Sequence, residues 1–93
     1  MSPSEIKSIR EACRLSQTGF GRLVGVTFTT ENRWENGRSV PTGPAVVILE
    51  SLARIAQEGH AAELLAELHH FSIDPGSGPA YLVLFSMAYG RDR

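Results

Sequence analysis

Only one cysteine, Cys13, occurs in the chain, which excludes an intrachain disulfide and a cysteine-based zinc site. Cys13 shares a helical face with Ile6 and Ile9 and is expected to be a buried apolar residue. Long apolar runs are also missing. The most apolar stretch, Ala80 to Tyr89, falls well short of the ~20 residues needed to span a bilayer. With no recognisable secretory signal, the expected localisation is cytoplasmic, with no membrane partner. Excess charge is lacking too: the formal net charge is −1 and the pI about 6.3, which argues against a nonspecific nucleic-acid binder. The sparse charge is nevertheless divided. Residues 1–38 hold six cationic against four acidic side chains, whereas the remainder holds three against six. A weakly basic first half suits a phosphate-facing surface. No nucleophile and base occur at a convincing spacing, so the chain is not expected to be an enzyme.

What is present centres on Ser16 to Gly37, SQTGFGRLVGVTFTTENRWENG. Ser16 is a good N-cap, and Phe20, Leu23 and Val24 recur at i, i+3 and i+4, predicting an amphipathic helix over Gln17–Val24 that stops at Gly25. Thr27 can cap a second helix over about Phe28 to Asn36, with Trp34 as its core anchor and Gly37 as its stop. Phe28, Thr29, Asn32 and Arg33 lie between cap and anchor as a face able to contact DNA. Two short helices joined by a tight turn, the second polar, is the arrangement that sets a recognition helix in a major groove.

From Ile9 to Leu52 the sequence resembles the helix-turn-helix of the Xre family, the Cro/cI-type repressors. The residues carrying this are Arg10, then Leu15-Ser16-Gln17, then Arg33-Trp34-Glu35-Asn36-Gly37 followed by Arg38 and Pro41. The run Pro41-Thr42-Gly43-Pro44-Ala45 is similar to family members that serve as antitoxins in bacterial type II toxin–antitoxin pairs. The resemblance implies an all-α, five-helix lambda-repressor-like domain over residues 1–71. Residues 72–93 would then form a linker and an apolar dimerisation element. It implies a DNA-binding set of Gln17, Arg22, Thr27, Phe28, Thr29, Asn32, Arg33 and Arg38. Within that set, Gln17, Arg22 and Arg38 would meet phosphates, while Arg33 could fork onto guanine, Asn32 onto adenine, and Phe28 or the Thr29 methyl could touch thymine. Arg10 has two readings, a phosphate contact or a structural partner of Glu35, which is how the family places the matching pair. Gln17 would also prop the recognition helix.

Two positions depart from the family pattern. Gly21 stands where Ala is usual and the two helices of the motif pack closely. Glu31 stands where Val or Ile is usual, so a lone carboxylate is expected either to pair with Arg22 or Arg10 or to leave the helix rotated or loosened locally.

Beyond the motif, Ser2-Pro3-Ser4-Glu5 predicts the start of a first helix, with Ser2 or Ser4 as cap. A fourth helix opens near Pro44 with a core stripe of Ala45, Ile48, Leu49, Leu52, Ile55 and Ala56, and leaves Val46 and Val47 either on a partner surface or under the C-terminal segment. Gly59 ends it, and a fifth helix over about His60 to His70 buries Ala61, Leu64, Leu65 and Leu68. Glu67 and His70 read as a charged outer face, so no metal or cofactor is expected. The last element, Pro79 to Tyr89, has a helix-like Pro start and Gly90 stop, but Tyr81-Leu82-Val83-Leu84-Phe85 would also suit a strand. A helix is favoured. Its apolar residues on nearly every side suggest a surface for a second copy or a partner, the alternative being a role in the monomer core. The sequence thus predicts a DNA-binding repressor acting as a homodimer on double-stranded DNA, with neutralisation of a toxin partner as the alternative function.

Overall fold

The computed structural model describes residues 1–90, so residues 91–93 of the expected C-terminal element lie outside the described residues. Six helices and no strand occur among the described residues: α1 (Pro3–Ala12), α2 (Gln17–Val24), α3 (Phe28–Glu35), α4 (Pro44–Gln57), α5 (Ala61–His70) and α6 (Gly78–Tyr89). None is long and apolar enough to cross a membrane.

Local chemistry sets the boundaries. At α1 the cap is Ser2, whose hydroxyl accepts from the Glu5 amide while the Glu5 carboxylate accepts from the Ser2 amide, a reciprocal capping box with Pro3 at the first helical position. Ser16, Thr27 and Ser77 each accept an amide hydrogen bond from the third residue after them, opening α2, α3 and α6. The turn between α2 and α3 depends on two glycines. Gly25 adopts φ +90°, a left-handed conformation that costs glycine nothing. At Gly21 a Cβ would lie 3.0 Å from the Val26 carbonyl oxygen, so the chain leaving α2 folds back against it.

Packing is built around α4, which touches α1, α2, α5 and α6, while α3 lies against α1 and α2. Ile6, Phe20, Leu23, Leu49, Leu52, Ile55 and Leu64 are almost wholly buried in one continuous core. Cys13 is buried there as expected, and burial raises its thiol to about 11, which keeps it protonated and unreactive at neutral pH. Along α4, Ile48, Leu49, Leu52 and Ile55 are buried, whereas Ala45 and Ala56 are half-buried. Ser51 is buried as well. Its hydroxyl donates to the Val47 carbonyl at 2.8 Å and lies 3.3 Å from the Tyr89 hydroxyl, which satisfies a polar group inside the core. Val46 is half-buried and Val47 exposed.

The C-terminal element is the favoured helix. Ala80, Leu84 and Ala88, four residues apart, form its buried stripe against α4 and α5. Arg54 of α4 donates to the Ala88 carbonyl and sets its guanidinium 5.3 Å from the Tyr89 ring centroid, fastening the end of α6. Leu82, on another face, is 73% exposed. Because α6 shares the core, Leu84→Ala is expected to lower stability by about 2–5 kcal/mol in urea denaturation. A loss under about 0.5 kcal/mol, the size of an ordinary surface change, would mean that α6 does not contribute to the folded core.

Candidate nucleic-acid interface

On α3 the positions of Phe28, Thr29, Asn32 and Arg33 are i, i+1, i+4 and i+5, one face of a helix, and Trp34 and Glu31 point the other way into the core. Phe28 is 50% exposed, and Thr29 and Arg33 are exposed with it. Thr27 is the cap of this helix, its hydroxyl oxygen 3.2 Å from both the Thr30 amide and the Thr30 hydroxyl. The C-terminal end is closed by the Gly37 amide on the Trp34 carbonyl and the Arg38 amide on the Arg33 carbonyl, which leaves the exposed Arg38 directly after the helix.

The helix is tied from beneath. Arg10 of α1 grips the Glu35 carboxylate with two donors, Nε at 2.7 Å and Nη2 at 3.1 Å, and gives Nη1 to the Leu15 carbonyl at 3.0 Å. Of the two readings of Arg10, the structure therefore shows the structural one. This fork joins α1, the α1–α2 turn and α3 in one bidentate contact. Gln17 is the prop on the other side: its Oε1 accepts from Asn32 Nδ2 at 2.9 Å. Asn36 joins the chain, donating to the Asn32 carbonyl at 2.8 Å and to Asn32 Oδ1 at 3.2 Å. Asn36 is absent from the sequence-derived set, although its i, i+4 spacing from Asn32 is a signal for such a pair. The two contacts occupy one hydrogen and one lone pair of the Asn32 side-chain amide, so one donor and one acceptor remain for a base edge.

Arg22 is exposed but stands apart from these groups. It lines a shallow depression with Leu23, Leu65 and Pro75, on a different face of α2 from Gln17.

Glu31 corrects the sequence expectation in one respect. It is fully buried, so α3 has not turned it toward solvent, and it forms no ion pair with Arg22 or Arg10. Arg22 is exposed to solvent, and all three donor nitrogens of Arg10 are committed to Glu35 and Leu15. No donor of another described residue reaches either Glu31 carboxyl oxygen, and its neighbour is the Glu35 carboxylate. A buried carboxyl beside another is tolerated far better with a proton on it. Burial is the main reason for Glu31 to hold one, pushing that carboxyl up to about 8, with the neighbouring Glu35 and its charge adding to the rise against the opposing charge of Arg10. Burial alone would also raise Glu35, but the hydrogen bonds of Arg10, Glu31 and Gln17 and the Arg10 charge outweigh it and hold Glu35 at about 2.

The stability consequences follow from linkage. A carboxyl raised in the folded state stabilises fully below its unfolded value, here the ordinary 4.5, and that contribution is lost as pH rises through about 8. Glu35 has the opposite sign: its contribution is present above 4.5 and lost as pH falls through about 2. Wild-type melting temperature is therefore expected to decline between pH 5 and 8. Glu31→Val should raise it by on the order of 5–15 °C at pH 8, from removal of an unsatisfied buried polar group of about 1–3 kcal/mol, and should flatten the decline. An unchanged or lower melting temperature in calorimetry would count against the buried-carboxyl account.

Residues 4–68 match the family model described as a helix-turn-helix domain. Over 65 residues the chain is 45% identical to Antitoxin HigA-2 of Vibrio cholerae serotype O1 (strain ATCC 39315 / El Tor Inaba N16961), an alignment covering 69% of this chain and 62% of that protein. The chain thus spans less than two thirds of the length of that relative. No solved structure gives a significant match. The matched residues take in α1 to α4 and most of α5, with the Arg10–Glu35 fork and the exposed α3 face inside them, and on this ground the chain belongs to the helix-turn-helix domain family, of Xre type and similar to an antitoxin.

Proposed function

We propose that the protein is a non-enzymatic, sequence-specific transcriptional repressor that binds double-stranded DNA as a homodimer and acts on its own promoter. The observation that carries this reading is the exposed Phe28–Thr29–Asn32–Arg33 face on a short helix whose opposite side is pinned by Trp34 and the Arg10–Glu35 fork. A reading helix must be rigid from behind and free in front, and α3 has both properties. In this role Arg33 takes guanine N7 and O6, Asn32 takes adenine with its remaining donor and acceptor, and Phe28 and the Thr29 methyl lie against thymine. Gln17, Thr27 and Arg38 border α3 as phosphate contacts, and Arg22 adds a cation further along α2. The mechanism is occlusion: a dimer seated across two half-sites about 34 Å apart on a palindrome denies the site to polymerase. The C-terminal element, residues 72–93, supplies the dimer contact through the exposed side of α6 around Leu82.

A second function is favoured by the identity to Antitoxin HigA-2: binding and neutralising a toxin protein, with DNA binding retained for autoregulation.

Selection of sites from a random duplex pool is expected to enrich a palindrome for the wild-type protein. Arg33→Ala is expected to lose about 1–3 kcal/mol of discrimination at one base pair of each half-site. No enrichment at low salt would end the autonomous-repressor reading. In sedimentation, Leu82→Glu is expected to turn a dimer into a monomer with an unchanged helical spectrum and weaker operator binding. A wild-type monomer that copurifies with the product of a neighbouring gene would instead favour toxin binding as the main task.

A further inference from the structure

Among the described residues Glu31 is the one buried acidic residue whose carboxyl oxygens lack a donor, and it lies on the inner face of the helix that carries the proposed reading residues. Its surroundings can be taken element by element. From α1 the facing charge is Arg10, already gripping Glu35; Glu11 lies further out, in the field of Arg10. From α3 itself the facing group is Glu35. The α2 side offers Phe20, Gly21, Leu23 and Val24 as its buried residues, together with the amide of Gln17, while its cation Arg22 is exposed. Among the described residues no cation pairs with Glu31. Glu35 follows Glu31 by one helical turn and raises its carboxyl further, and on the exposed side of α3 Asn32 donates to Gln17 at 2.9 Å.

We propose that Glu31 is a positioning residue for DNA recognition: a proton on its buried carboxyl, one turn from Glu35, keeps α3 seated and Asn32 oriented, so that loss of this proton weakens DNA binding. This rests on the DNA-reading role of α3. On ionisation the Glu31 O–H bond breaks and its proton passes to water or hydroxide, the reverse on protonation, and no other covalent bond changes. When Glu31 ionises, two carboxylates face each other under α3 with a single guanidinium between α1 and α3 to balance them. Two rearrangements relieve the repulsion: water enters between α2 and α3, or Arg10 loosens its fork on Glu35. Each disturbs the support of Asn32 or the seat of α3. DNA selects the seated form and with it the protonated one, so affinity and proton occupancy are linked. The carboxyl titrates at about 8, close enough to physiological pH for an alkaline shift to act on it.

The test measures binding of the enriched duplex from pH 6.5 to 9.5 at constant ionic strength, with Glu31→Gln beside the wild type, and thermal melting of both proteins without DNA from pH 5 to 9. Gln is neutral at every pH and keeps a donor toward Glu35, so it imitates the protonated state. Wild-type affinity is expected to fall about tenfold from pH 7 to 9, as one linked proton requires, while the Gln variant changes by less than about threefold. The melting decline between pH 5 and 8 should likewise be absent from the variant. Parallel affinity profiles for the two proteins overturn the proposal, as does a variant that binds poorly at pH 7 while melting like the wild type. If neither protein binds any duplex at pH 7, the DNA-reading role fails and the positioning role with it. The melting profiles then report separately whether Glu31 holds the proton.

Discussion

The bidentate contact between Arg10 and Glu35 is the constraint on which the arrangement of the first three helices depends. It bridges 25 residues of sequence, and with its third nitrogen on the Leu15 carbonyl it also fixes the turn that leads into α2. Neither partner is replaceable alone, because removal of one leaves a charge beneath α3 with nothing to balance it. The pair does more than add stability. Its planar fork sets the rotation of α3 about its own axis, and that rotation decides which residues face outward. Hydrophobic contacts around Trp34 would hold α3 in place with far less control over its orientation.

Glu31 makes that control conditional. Val or Ile at the same position would fill the space without reference to pH, whereas a carboxyl does so comfortably only while protonated. Arg10 cannot serve both acids. It takes Glu35, and the low value of Glu35 and the high value of Glu31 are two sides of one arrangement in which a single proton and a single guanidinium stabilise two carboxyl groups. A site that needs its helix immobile thus contains a buried group that destabilises it when the solution turns alkaline.

The parts of this fold that were legible in the sequence are those governed by local chemistry. Ser16, Thr27 and Gly25 mark the bounds of α2 and α3 because capping and left-handed turns depend on a few neighbouring atoms. Trp34, Phe20 and Leu23 reveal their burial through helical spacing. Arg10 with Glu35 was legible only as one of two readings, since spacing alone does not separate a phosphate contact from a buried fork. The fate of Glu31 was half legible: its inward position followed from the motif, but its missing partner did not, because that depends on where Arg10 spends its donors. That Gln17 props the recognition helix followed from the resemblance, whereas its partner Asn32 and the Asn32–Asn36 pair did not, since amide orientations depend on tertiary contacts. For α6 the ambiguity was compositional. Tyr81 to Phe85 satisfies strand and helix alike, and the decision came from the Ser77 cap and from the four-residue spacing of Ala80, Leu84 and Ala88 against α4.

Placing α6 in the core changes how the two ends of the molecule relate. Tyr81 is not confined to the back of the protein: its hydroxyl lies against Gly25, where any side chain would meet it at 2.8 Å, and Gly76 packs directly on the Arg22 carbonyl. Both contacts fall on the end of α2 and the turn that launches α3. The C-terminal segment therefore buttresses the helix-turn-helix at the point where its geometry is most sensitive, since a small rotation at Gly25 swings the whole of α3. Tyr81 thus stands between Leu82, its neighbour on α6, and the turn at Gly25 that sets the direction of α3, so the last helix contributes to the helix-turn-helix by packing as well as by filling the core.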